Sequence, residues 1–444
     1  MASYPKSLSM YAKRISNYSR NTFRINPVSG NTAAPSQQIL IDFPTNSLVD
    51  LDSLNLYFSG TIVGTSTNAV SFPKNIETLI DRLDLEVNGQ LVASVPNYSQ
   101  VFAIISDLSF GQDATLRRRV LQNSLAANNS SAPDATGTTA ATRVFAIQNF
   151  LGGLFSGSPR VLDLSLLGNV RLRLTLAPSA ICAGTGASYS LSNITASVDV
   201  ISIDDGMFYA AHAAFLEQGG VYQIPFKNYF TFLGTSLPNY NGSVKFSVST
   251  QSLDVVYFTF LASDWNAAGS AQLSAASAQP TANDYLSRYL VRASDYTALD
   301  GTNKSALVDW QMLINGSLSV PSFRVKNFDS AGSVAQAETF ALLQNAIHLS
   351  QDTLSGIHPA IVSMNNFNRY YWVGAVRLNH PEDAAEGGVR TISGLDTRGS
   401  MAFASIDTTG VSTAGTGASP VPFVICEATS TMEVAAGRQI RIVQ

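Results

Sequence analysis

Leu83-Asp84-Leu85-Glu86-Val87-Asn88-Gly89-Gln90-Leu91 decides the fold. Apolar and charged residues alternate up to Val87, the period-two pattern of a strand with one face on a core. Asn88-Gly89 then supplies the residue pair that tolerates positive φ at both centres of a type I′ turn, so the chain reverses into a second strand. The same pattern returns at Ile314-Asn315-Gly316-Ser317-Leu318. Each copy goes on to a Val-Pro, at Val95-Pro96 and Val320-Pro321. Each then reaches a helical patch, Phe102-Ala103-Ile104-Ile105 in one and Phe340-Ala341-Leu342-Leu343 in the other. Upstream, Phe43, Ser47-Leu48 and Tyr57-Phe58 match Phe246, Ser252-Leu253 and Tyr257-Phe258. Four features in one order point to an internal duplication of a β-rich unit.

Outward from these hairpins, the two-residue period persists. Val170-Arg171-Leu172-Arg173-Leu174-Thr175-Leu176, Val198-Asp199-Val200 and Val244-Lys245-Phe246-Ser247-Val248 all alternate. Gly, Asn, Pro and Ser clusters separate such runs, as in sandwiches and barrels. Helical spacing is confined to Ser99–Leu108, with Asn97 or Ser99 as its cap, and to Ala335–Ile347, where Ser333 and Gln336 have capping-box spacing. Three stretches, Asn123–Thr142, Ala262–Asn283 and Ser405–Pro420, are small and polar and read as long surface loops. The boundary between copies is expected near Asp205–Gly220, dividing the chain into an arm (1–35), a first unit (36–210) and a second unit (211–444).

The chain's 444 residues suffice for two cores, because single cores stop growing at roughly 250–300 residues. Charged residues are only 13% of the total, against about 25% in an average soluble protein. That depletion suits a protein whose outside is covered by copies of itself, since burying an unpaired charge costs far more than burying a hydroxyl or amide. The net charge of −4 excludes a generic polyanion binder. Cys182 and Cys426 form no disulfide framework and read as buried free thiols. The opening segment lacks an apolar signal core, so synthesis in a cytoplasm is expected.

Lys6, Lys13, Arg14, Arg20 and Arg24 all precede the first acidic residue, Asp42. This basic arm is either a terminus without fixed structure or one that reaches a neighbour, a lipid headgroup layer or nucleic acid. Catalytic patterns are missing. His212, His348, His358 and His380 fall in no metal-binding frame, and neither a phosphate loop nor a nucleophile elbow occurs. Asp204-Asp205 and Glu382-Asp383 read as solvated turns rather than catalytic pairs. Arg117-Arg118-Arg119 reads as salt-bridged or interfacial rather than phosphate-binding. Trp310, Tyr370, Tyr371 and Trp372 are assigned to cores and contacts.

The two-unit layout resembles the double jelly-roll major capsid proteins of tailless icosahedral viruses, the lineage that includes adenovirus hexon. The resemblance rests on Leu83–Gly89 followed by Pro96-Asn97-Tyr98 and a helix. It rests also on Tyr371-Trp372-Val373-Gly374 running on to Ile392-Ser393-Gly394-Leu395-Asp396-Thr397. It implies an all-β fold of two tandem eight-stranded jelly-roll barrels, each with a short helix and long polar loops. It implies a homotrimer of pseudo-hexagonal outline that builds an icosahedral shell, with no enzyme activity, cofactor, metal or sequence-specific nucleic-acid binding. Penton and minor capsid proteins, and an internal viral membrane met by the arm, are further partners of that family's kind. The residues alone leave open a carbohydrate-binding or receptor-binding β-sandwich, such as a spike or adhesin, and a jelly-roll glycosidase.

Overall fold

A computed structural model describes residues 18–65, 69–109, 118–123, 133–157, 161–182, 184, 186–203, 206–261, 308–326, 337–347, 372–379, 392–399, 403–410 and 420–444. The first unit is built from β1 (Tyr18–Ile25), β2 (Gln38–Asp42), β3 (Leu48–Val63), β4 (Ala69–Val70), β5 (Ile80–Val87) and β6 (Gln90–Val95). It continues through β7 (Ala135–Thr136), β8 (Ala141–Ile147), β9 (Gly153–Gly157), β10 (Val161–Asp163), β11 (Val170–Leu176) and β12 (Ser188–Ile203). One sheet runs β1-β12-β3-β10, with β8 also on β3, and the other runs β2-β11-β5-β6. The small strands β4 and β7 pair with each other.

The second unit holds β13 (Tyr222–Leu233), β14 (Gly242–Phe246), β15 (Leu253–Leu261), β16 (Val308–Ile314) and β17 (Leu318–Val325). β18 (Gly374–Arg377), β19 (Ala404–Gly410), β20 (Val421–Ala435) and β21 (Gln439–Val443) complete it. Its sheets run β18-β15-β20-β13 and β14-β19-β16-β17. In the first unit β1 pairs β12, β12 pairs β3 and β2 pairs β11, as in the second β13 pairs β20, β20 pairs β15 and β14 pairs β19. This is jelly-roll order, and it occurs twice.

Local chemistry explains the layers. In β11, Val170, Leu172, Leu174 and Leu176 are buried, while Arg171 and Arg173 face outward. There Arg171 meets Asp42 at 2.6 and 2.9 Å, and Arg173 meets Glu86. Both hairpin turns have the backbone their residues favour, with φ of 51° and 76° at Asn88 and Gly89 and 51° and 72° at Asn315 and Gly316. The helix Tyr98–Ser109 follows β6 and the helix Ala337–Ala346 follows β17, the same place in each unit. One apolar cluster runs through both units, with Phe58, Phe72 and Phe145 in the first and Phe258, Phe260, Trp310 and Trp372 in the second.

Four expectations need correction. Residues 18–25 of the expected arm are strand, because each pairs with β12. Residues 404–410 are also strand, hydrogen-bonded between β14 and β16, so the expected loop Ser405–Pro420 is wrong over its first six residues, 405–410. The two Val-Pro pairs are not equivalent. Val95 ends β6, whereas Val320-Pro321 lies inside β17. Asn97, one of the two expected caps, has positive φ rather than the extended backbone usual at a cap, and its Nδ2 donates to Thr231 Oγ1 of the second unit at 3.0 Å. Ser333 and Gln336 lie outside the described residues.

Candidate functional site

The two units of the chain cover a surface between them. β9 belongs to the first unit's sequence, yet it pairs with β13 and extends the second unit's sheet. β6 runs beside it. A Cβ on Gly152 would lie 2.7 Å from Val95 and 3.2 Å from Tyr229, at a φ of +83°, so glycine is what lets the units approach this closely. Asn97 and Thr231 add the hydrogen bond across the junction.

The junction covers a charged group. Lys227 on β13 lies 2.5 Å from Asp254 on β15 and 3.4 Å from Glu427 on β20. Ser252 and Thr429 hydroxyls also donate to Asp254, at 2.7 and 2.6 Å. Burial works against the ammonium of Lys227, but the carboxylates of Glu427 and Asp254 outweigh it and hold its pKa above the ordinary lysine value. Burial pushes the Glu427 carboxyl up, against the pull of Lys227. Tyr229 and Tyr257 are buried nearby, and desolvation raises both phenols.

The first unit carries a counterpart. Arg20 on β1 lies 2.7 Å from Asp199 on β12 and 2.8 Å from Asp50 on β3. Thr22 opposes Asp199 as Tyr229 opposes Glu427. Arg20-Asn21-Thr22-Phe23 therefore superimposes in register on Lys227-Asn228-Tyr229-Phe230. A cation between two carboxylates, drawn from β1, β3 and β12 in one unit and from β13, β15 and β20 in the other, is part of the repeat. Sequence reading missed it because its members are far apart in the chain, and only strand pairing brings them together. The Thr22 hydroxyl and then Arg20 hold the Asp199 carboxyl below its ordinary value.

Other sequence candidates fall elsewhere. Of the five basic arm residues, Arg20 is ion-paired and Arg24 is exposed on β1. Lys6, Lys13 and Arg14 lie outside the described residues, as do Asp204, Asp205, Glu382, Asp383, Arg117, Tyr370, Tyr371, His348, His358 and His380. Arg118 is buried against Glu77 at 2.7 Å and lies over the Phe102 ring at 5.2 Å. His212 hydrogen-bonds Tyr222. Trp310 and Trp372 are fully buried, and Trp310 Nε1 donates to Thr339 at 3.0 Å. Cys182 and Cys426 are buried and not joined in a disulfide, and burial pushes the Cys426 thiol up. Among the described residues no three His, Cys, Asp or Glu side chains gather as a metal site.

No protein family and no curated protein matches the chain by sequence. Solved structures do match by shape. VP54 of PBCV-1, in a crystal structure fitted into a reconstruction of the virophage Sputnik, matches with a TM-score of 0.59 at 13% identity, over 98% of both chains. The Faustovirus major capsid protein matches at 0.56 and 9% identity, over 96% of this chain and 92% of that one. The mavirus major capsid protein matches at 0.50 and 12% identity, over 99% and 93%. With the jelly-roll order present twice, the chain has the double jelly-roll fold of viral major capsid proteins.

Proposed function

We propose that this chain is a major capsid protein, a structural subunit that trimerises into pseudo-hexagonal capsomers and builds an icosahedral shell. The observation that carries this reading is the end-to-end likeness to capsid proteins, 98% of both chains for VP54, with the same central strand pairings in both units. Two similar units per chain give three chains a six-sided outline, which tiles a hexagonal lattice. A jelly roll also leaves few open strand edges, and assembly covers more of them.

On this reading the first jelly roll begins at β1 and the second at β13. Residues 1–17, with Lys6, Lys13 and Arg14, form the basic arm toward a neighbour, penton or minor capsid proteins, or an internal membrane. The chain is made in the host cytoplasm and resides in the virion shell. Light scattering behind size exclusion tests the reading. The expected mass is about 142 kDa, three times the 47.3 kDa chain, or larger shells. A stable 47.3 kDa monomer that binds glycans reproducibly overturns it in favour of an adhesin.

A further inference from the structure

The two ion groups correspond in register but differ in chemistry. In the first unit the cation is Arg20, a guanidinium that stays charged and offers no nucleophilic nitrogen, with a side chain 47% exposed. In the second it is Lys227, which becomes a nucleophilic amine once it gives up a proton. Its Nζ lies 2.5 Å from the carboxyl of Asp254, a side chain only 2% exposed.

Lys227 on β13 and Asp254 on β15 stand either side of β20, so their backbones are about 9–10 Å apart. Two features close that gap. The lysine stem reaches past Thr429, its partner on β20. The register shift between Leu253 and Val255 makes Asp254 the extra residue of a bulge, which re-aims its side chain. Around the pair, Ser252 Oγ donates to Asp254 Oδ1 at 2.7 Å and Thr429 Oγ1 donates to Oδ2 at 2.6 Å. Glu427 Oε1 stands 3.4 Å from Lys227 Nζ. Tyr229 and Tyr257 are buried beside them and help to keep water out.

We infer that Lys227 and Asp254 condense into an amide, an internal cross-link that staples β13 to β15 across β20, with Glu427 as the proton relay. The ammonium gives one proton through Glu427 to Asp254 Oδ2, leaving a neutral amine and a neutral acid. Nζ then attacks Cγ. The C–N bond forms while Oδ1 takes up negative charge and keeps the hydrogen bond from Ser252. A second proton passes from the nitrogen through Glu427 to the Oδ2 hydroxyl, the C–O bond breaks and water leaves. Ammonium and carboxylate thus become amide and water, Glu427 ends as it began, and no other reactant is consumed. Fixed approach of the two groups replaces an activating reagent, and the product removes charges that are costly to keep buried. Lys227 is held above the ordinary lysine value, so the free amine arises only by transfer within the group. Burial pushes the Glu427 carboxyl up, which suits a group that must hold a proton in passing.

Intact-mass spectrometry of the purified full chain tests this. The folded wild type is expected one water lighter than its sequence mass, and its protease digest is expected to hold a branched peptide joining the Lys227 and Asp254 segments. Lys227→Arg keeps the charge and is expected at full sequence mass. Glu427→Gln is expected to link about 10²-fold more slowly. Circular dichroism checks that each variant is folded, and the wild-type mass decides even where a variant is not. A folded wild type at full sequence mass overturns the inference, as does a water loss whose digest lacks the branched peptide. Linking in Glu427→Gln at the wild-type rate overturns the relay.

Discussion

Lys227 lies 2.5 Å from Asp254 inside the molecule, and its counterpart Arg20 lies 2.8 Å from Asp50 near the surface. One arrangement in two surroundings makes a matched stability experiment. Lys227→Met leaves Asp254 and Glu427 buried without their cation and is expected to cost about 3–5 kcal/mol. Arg20→Met, at a partly solvated site, is expected to cost about 0–1 kcal/mol in the isolated chain. Urea unfolding of the two variants checks the contrast, and equal losses would show that burial does not distinguish the groups.

Gly152 stands where the two units meet, with positive φ and the Val95 and Tyr229 side chains on either side. Gly152→Ala adds a methyl in that gap and a left-handed backbone cost of roughly 1–2 kcal/mol. Overpacking adds about 1–3 kcal/mol more. A fall in thermal midpoint is expected. Gly89→Ala, at positive φ but with nothing near its Cβ, is expected to lose less.

Arg118 and Glu77 pair at 2.7 Å with side chains 9% and 2% exposed, and Gln122 donates to the same carboxylate at 2.6 Å. Arg118→Met strands a buried charge and is expected to destabilise by about 3–5 kcal/mol. The double variant Arg118→Met/Glu77→Leu is expected to recover much of the loss, since no ion is left unpaired. Denaturant midpoints of the single and double variants decide it.

The Asp42 carboxyl is held below its ordinary value chiefly by its hydrogen bond from Arg171. A depressed folded pKa means the unfolded chain binds the proton more readily. The pair therefore adds stability above the unfolded value of about 3.9 and loses it as pH falls through the folded value. The stability difference between the wild type and Arg171→Met is expected to be constant from pH 7 to about 5 and to shrink below about 4. A gap that widens in acid would reverse the sign of this linkage.

Period and turn chemistry are local, and they were legible. Alternation in Val170–Leu176 requires one buried face, and Asn-Gly requires a reversal. The two hairpins, the two helices after them and the duplication follow from such short-range rules. Leu48 and Leu253 begin equivalent strands, as the matched Ser-Leu pairs indicate. Local rules failed where a polar segment was rescued by its neighbours. Ala404–Gly410 is rich in Ser, Thr and Asp, yet it is the seventh strand of its unit because β14 and β16 supply hydrogen bonds on both edges. Tyr18–Ile25 looked like arm for the same reason, since its partner β12 lies far along the chain.

What the sequence determined by itself was the β class, the two copies and the lack of any catalytic frame, because each depends on residues within a few positions of one another. Only the tertiary structure decided which residues share a surface. It set Arg20 between Asp50 and Asp199, set Lys227 between Asp254 and Glu427, and laid β9 of one unit on β13 of the other. Those contacts arise from strand pairing over long loops, where the free energy lies in burial and hydrogen bonds between distant segments and no local pattern records the partner.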